Sequence, residues 1–129
     1  MSAAVMVLII EDEAKLRRTV AAYLEDSGYA IGEAANGREG IERFLEIRPD
    51  VVLTDLRMPE VNGMEVLGWL KRHSPQTPVI VITGTGDQFA PAAVLEAGAS
   101  VCLAKPVNDL AVLDMAIQQV LSKNRSCRP

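Results

Sequence analysis

A chain of 129 residues can bury one hydrophobic core but not two, and 49% hydrophobic with 23% charged side chains is the composition of an ordinary globular domain. Seventeen acidic against thirteen basic side chains leave a net charge of −4, which argues against a sequence-independent grip on nucleic acid, and no apolar run nears the ~20 residues of a membrane helix. The opening MSAAVMVLII lacks a basic region and cleavage site, and Cys102 and Cys127 have neither a CxxC nor a nearby His, so a cytoplasmic domain with two unpaired thiols is expected.

In chain order, VMVLII at residues 5–10 reads as a buried strand, followed at once by Glu11, Asp12 and Glu13. Leu16, Val20 and Leu24 recur at i, i+4 and i+8 and predict a helix that Gly28 ends. YAIGEA at 29–34 is a weaker strand whose Gly32 and Glu33 suit a sheet edge, and Ile41, Phe44 and Leu45 mark a second helix. VVLT at 51–54 is a strand that ends on Asp55 and runs into Arg57, Met58 and Pro59. Met64, Leu67 and Leu70 mark a third helix, with Pro59 and Gly63 shaping the turn before it. VIVI at 79–82 leads to Thr83, and a fourth helix is expected to begin near Pro91, a residue tolerated in a first turn. VCLA at 101–104 leads to Lys105, and a fifth helix is expected from Asn108, as N-cap, through Leu110, Leu113, Ile117 and Leu121.

Strand and helix alternate five times, which implies an α/β domain with a parallel sheet and right-handed crossovers. The four strong runs are apolar on both faces, as buried parallel strands should be. The domain is expected over residues 5–122, with 123–129 as a flexible C-terminal tail.

All C-terminal strand ends of a parallel sheet share one edge. Glu11, Asp12, Asp55, Thr83 and Lys105 should therefore converge on the crevice where open α/β sheets bind ligands. A carboxylate at a buried strand tip costs several kcal/mol or goes neutral, and two more acids beside it add repulsion that Lys105 offsets only in part. Mg²⁺ fits this setting: it takes a few carboxylate oxygens, keeps several waters and leaves room for phosphate oxygens. Each residue alone has a plainer reading. Asp55 could cap a turn, Glu11 could neighbour an N-cap, Thr83 could be an ordinary strand residue and Lys105 a solvated loop lysine; their joint occurrence at four strand ends argues otherwise. His73 has no partner at metal spacing and reads as a ring at a helix C-terminus. GTGD at 84–87 lacks the third glycine of a dinucleotide site.

The segments IIEDE, LTDLRMPEVNG, VITGTGD and LAKPV, in this order and at these spacings, closely resemble the receiver domain of bacterial two-component response regulators across nearly all of residues 5–122. The resemblance implies a flavodoxin-like doubly wound sheet of five parallel strands, order 2-1-3-4-5, with five helices. It implies that Asp55 accepts a phosphoryl group from the phosphohistidine of a sensor histidine kinase or a phosphotransfer protein. Asp12 would be a direct Mg²⁺ ligand, Glu11 its water-mediated neighbour, and Arg57 would lend its backbone carbonyl. Thr83 and Lys105 would each hold a phosphoryl oxygen, and the Lys105–Pro106 bond would be cis. The domain would be no enzyme beyond assisting its own phosphorylation and dephosphorylation. It would act on an output protein or an attached output domain, without touching nucleic acid or membrane, and a homodimer contact would use the face of the fourth helix, fifth strand and fifth helix.

The chain departs from the pattern at Cys102, where the family usually carries Tyr or Phe, and at Val107, which replaces a common Phe. Switching is therefore expected to run through the backbone after Thr83 and the helix near Pro91. Two alternatives stand beside this reading. One is a docking module indifferent to phosphate. The other is a dehalogenase-like phosphatase, which would need a second acid two residues after Asp55, where Arg57 stands.

Overall fold

The computed structural model describes residues 4–56, 61–84, 91–104 and 109–126. Its elements are β1 (Met6–Ile10), α1 (Ala14–Asp26), β2 (Ala30–Ala34), α2 (Gly37–Ile47), β3 (Val51–Asp55), α3 (Gly63–His73), β4 (Val79–Thr83), α4 (Pro91–Glu96), β5 (Val101–Ala104) and α5 (Ala111–Ser126). The strands pair in parallel in the order β2-β1-β3-β4-β5. This is the expected doubly wound sheet, with the weak strand β2 at an edge.

Side chains alternate across a strand, and the alternation divides the core in two. Leu8, Ile10, Val52, Val79 and Val81 face Phe44, Leu67, Leu70 and Val94 of α2, α3 and α4. Val7, Ile9, Val51, Leu53 and Ile80 face Val20, Leu24, Leu113 and Ile117 of α1 and α5. Full burial of one such side chain stabilises by about 2 kcal/mol, whereas an exposed ion pair such as Arg43–Glu46 gives well under ~1 kcal/mol. Packing therefore decides where the helices lie.

Local chemistry decides where they start and stop. Asn36 accepts from the Glu39 amide at the start of α2, and Asn62 and Glu65 form a reciprocal capping box at the start of α3. Helix α1 ends as expected at Gly28, whose φ of 101° suits glycine, with Gly28 N–H donating to Glu25 O and Tyr29 N–H to Leu24 O.

Two expectations are corrected. Leu45, read as a core mark of α2, is half exposed; Gly37, Gly40 and Phe44 are the buried residues there, and a Cβ on Gly40 would strike the Ile10 side chain at 2.4 Å. The helix lies too close to β1 for a larger side chain. Strand β5 is not buried on both faces but half-buried, and among the described residues it pairs with β4 alone. Helix α5 extends as far as Ser126. The fifth helix starts at Ala111, whose amide donates to Asp109 Oδ1 at 3.0 Å. Asn108, Arg57, Met58, Pro59, Lys105, Pro106 and its cis bond, Val107 and Cys127 lie outside the described residues.

Candidate functional site

The sheet register sets the geometry. Ile10 pairs with Thr54, so Glu11, one residue on, stands level with Asp55, the last residue of β3. Asp55 in turn pairs with Ile82, which places Thr83 one residue further along β4. Thr83 pairs with Ala104, the residue directly before Lys105 in the sequence. Glu11, Asp55 and Thr83 are buried, while Asp12 is exposed at the mouth.

One carboxylate oxygen from each of Glu11, Asp12 and Asp55 lies within 4.8 Å of the others. At an effective dielectric near 20, each such pair of charges repels by about 3–4 kcal/mol. Glu11 and Asp55 also line a largely apolar cavity of about 240 Å³, together with Leu16, Val20, Leu53, Ile82, Leu110 and Leu113. Hard oxygen donors converging from two strand ends, two of them buried, suit a small divalent cation such as Mg²⁺. Lys105 and Arg57, the remaining expected members, lie outside the described residues.

The backbone around the acids is held at several points. Glu11 N–H donates to Ala34 O at 3.0 Å, and Leu56 N–H donates to Ile82 O at 3.1 Å just past Asp55. Gly63, read from the sequence as turn punctuation, has a larger part. Its N–H donates to Leu56 O at 2.8 Å, and an added Cβ would sit 2.4 Å from Asp55 O. The start of α3 thus lies directly beneath the acid of β3, an approach only glycine permits.

Other readings find their place away from the acids. His73 sits at the end of α3, its Nδ1 2.9 Å from Trp69 O and its ring stacked on Trp69 at 4.2 Å. Cys102 is a free, half-buried thiol packed against the α2–α4 half of the core. Sequence reasoning missed Arg17, whose Nη1 donates to Glu11 O at 2.8 Å and whose Nε donates to Glu33 Oε1 at 3.1 Å. The only signal for it was Glu33 itself, an acid inside an otherwise apolar strand. No helix among the described residues is long and apolar enough to cross a membrane.

Residues 7–119 match the family model described as the response regulator receiver domain. The chain is similar to the chemotaxis protein CheY of Thermotoga maritima, 34% identical over 109 residues that make up 84% of this chain and 91% of that protein. It is similar to the transcriptional regulatory protein ResD of Bacillus subtilis, 40% identical over 78% of this chain, and to the regulatory protein AtoC of Escherichia coli, 36% identical over 94% of it. The chain spans only 41% and 26% of the lengths of those two regulators. Among solved structures, a response regulator receiver domain protein from Clostridium thermocellum superposes with a TM-score of 0.90 at 31% identity, covering 96% of this chain and 99% of that one.

Proposed function

The chain belongs to the family of response regulator receiver domains of two-component systems, and from that membership we propose that it is a phosphorylation-dependent switch whose acceptor is Asp55. The observation that carries this reading is the meeting of Glu11, Asp12 and Asp55 within 4.8 Å at the C-terminal edge of the sheet. The donor is the phosphohistidine of a sensor histidine kinase or a phosphotransfer protein, encountered in the cytoplasm.

The chemistry is displacement at phosphorus. A carboxylate oxygen of Asp55 forms the new P–O bond, the P–N bond to the donor histidine breaks, and its electron pair leaves on the imidazole nitrogen. Burial of Asp55 at a strand tip, next to a Leu56 whose N–H and carbonyl are both hydrogen-bonded, supports a restricted line of attack. Thr83 Oγ1 donates a hydrogen bond to one phosphoryl oxygen and the Lys105 ammonium pairs with another. Asp12, Asp55 and the Arg57 carbonyl, with Glu11 through water, would hold Mg²⁺, which when bound would neutralise the acids and the transferring oxygens. Water attack at the same phosphorus breaks the P–O bond to Asp55, whose carboxylate takes the electron pair, releases inorganic phosphate and resets the switch.

Cys102 cannot fill and vacate the volume of an aromatic ring, so the change at Thr83 is passed on by the backbone between β4 and α4. The face of α4, β5 and α5 receives it. Leu95, Val112 and Met115 stand exposed there, which supports an output partner, an attached output domain or a second copy of this chain at that surface.

The test is intact mass after incubation with acetyl phosphate, with and without Mg²⁺, on the native chain and on Asp55→Asn. A single phosphoryl adduct that requires both Mg²⁺ and Asp55 is expected. If no adduct forms and beryllofluoride does not bind either, the phosphate-indifferent docking module becomes the better reading.

A further inference from the structure

The first two acids sit on a short link between β1 and α1 that the usual local device does not secure. Glu13 is the N-cap of α1, and its side chain makes no capping hydrogen bond. The two backbone groups of Glu11 are instead tied outward. Its N–H goes to Ala34 O of β2 at 3.0 Å, and its carbonyl accepts from Arg17 Nη1 at 2.8 Å. Arg17 is in turn aimed from β2, since its Nε donates to Glu33 Oε1 at 3.1 Å, with side chains 16% and 23% exposed. Arg18 pairs with the other oxygen of the same carboxylate. Strand β2 thus grips Glu11 twice, once directly and once through Arg17.

From this geometry we infer that Arg17, oriented by Glu33, is a positioning residue for the cation site. By fixing the peptide that carries Glu11 and leads to Asp12, it sets where those carboxylates meet Asp55. The inference rests on the proposed Mg²⁺ site. Only the guanidinium fork can reach both acceptors at once, and an ammonium in its place would keep the charge and lose one of the two bonds.

Charge and position make opposite forecasts, which gives the test its power. If Arg17 acted only as a nearby cation, removing it would relieve repulsion and tighten Mg²⁺ binding. If it positions the peptide, Arg17→Gln and Arg17→Lys should both weaken Mg²⁺ binding, Arg17→Gln by roughly tenfold, the scale typical of groups that orient metal ligands. Calorimetric Mg²⁺ titration of the full chain measures this. In the metal-free protein, hydrogen exchange at the Glu11 amide should also speed up, while the Ala30 amide, bonded to Val5 O, serves as control and should not change.

Mg²⁺ affinity equal to or tighter than native in Arg17→Gln overturns the inference, and so does an unchanged Glu11 exchange rate. Should Arg17→Gln fail to fold, Arg17→Lys carries both measurements. If the native chain binds no Mg²⁺, the metal reading falls with the part of the inference built on it. The exchange rates of the metal-free protein still decide whether Arg17 holds the peptide.

Discussion

At Gly63 one hydrogen atom separates a working site from a displaced one. A methyl there would press on Asp55 O at 2.4 Å and on the Leu56 Cα at 2.6 Å, both backbone atoms with no rotamer to yield. Gly63→Ala is therefore expected to cost roughly 1–3 kcal/mol by overpacking, and to weaken Mg²⁺ binding by moving the β3 end. Gly68, five residues on in the same helix, meets only the tip of Arg72 at 3.6 Å, so Gly68→Ala should stabilise by about 0.5–1 kcal/mol. Urea melts of the two variants check both signs. The contrast also marks what the sequence could tell. Glu11, Asp12, Asp55 and Thr83 were legible because each follows or ends an apolar run, and parallel strands must bring those ends together. Gly63 and Arg17 were not, because a helix pressed against one peptide and a side chain reaching across to another are distances, and composition carries no distance.

Between elements, a paired polar tie joins Tyr29, the residue just before β2, to α5. Tyr29 OH donates to Asp114 Oδ1 at 2.5 Å and accepts from Gln118 Nε2 at 2.8 Å. Burial, and then the Asp114 carboxylate, push the Tyr29 hydroxyl up from 10.0 to about 12. The folded state therefore holds this proton more tightly than the unfolded chain does. The resulting stability is fully present below pH ~10 and is lost as pH climbs from about 10 to about 12. Lys71 works the other way: burial lowers its pKa, so alkali relieves a penalty there. The difference between native protein and Tyr29→Phe cancels that background. It should be roughly 1.5–3 kcal/mol in favour of native at neutral pH, the range for a hydrogen bond to a charged group, and should shrink across that alkaline window in denaturant melts. The elements themselves were readable where apolar spacing was strong, as in β1, β3, β4 and α1. Reading failed where the neighbour decides the outcome. Leu45 turned outward because Gly37 and Gly40 hold α2 against its neighbours, α2 ended at a left-handed Arg48 with no glycine to announce it, and β5 lay half open with β4 as its only strand neighbour among the described residues.

At the scale of the whole molecule, the acids stand at the ends of the neighbouring strands β1 and β3, so local charge must appear in global stability. Like charges brought within 4.8 Å in a largely buried site oppose folding, because the unfolded chain lets them separate. A cation that binds only the folded arrangement offsets this by mass action, giving about 1.4 kcal/mol at a free concentration tenfold above its dissociation constant. For a domain of this size that corresponds to a rise of about 3–6 °C in melting temperature. Asp55→Asn removes one charge of the cluster and leaves a side chain of nearly the same shape. The variant should melt above the native chain in EDTA and gain less from Mg²⁺, so that the two melting curves converge or cross as Mg²⁺ is added. A cluster that were merely solvated surface would give parallel curves, displaced by salt alone. Calorimetric scans in EDTA, in Mg²⁺ and in NaCl of matched ionic strength separate the two cases, because screening weakens every exposed pair alike while a cation bound at the cluster acts there.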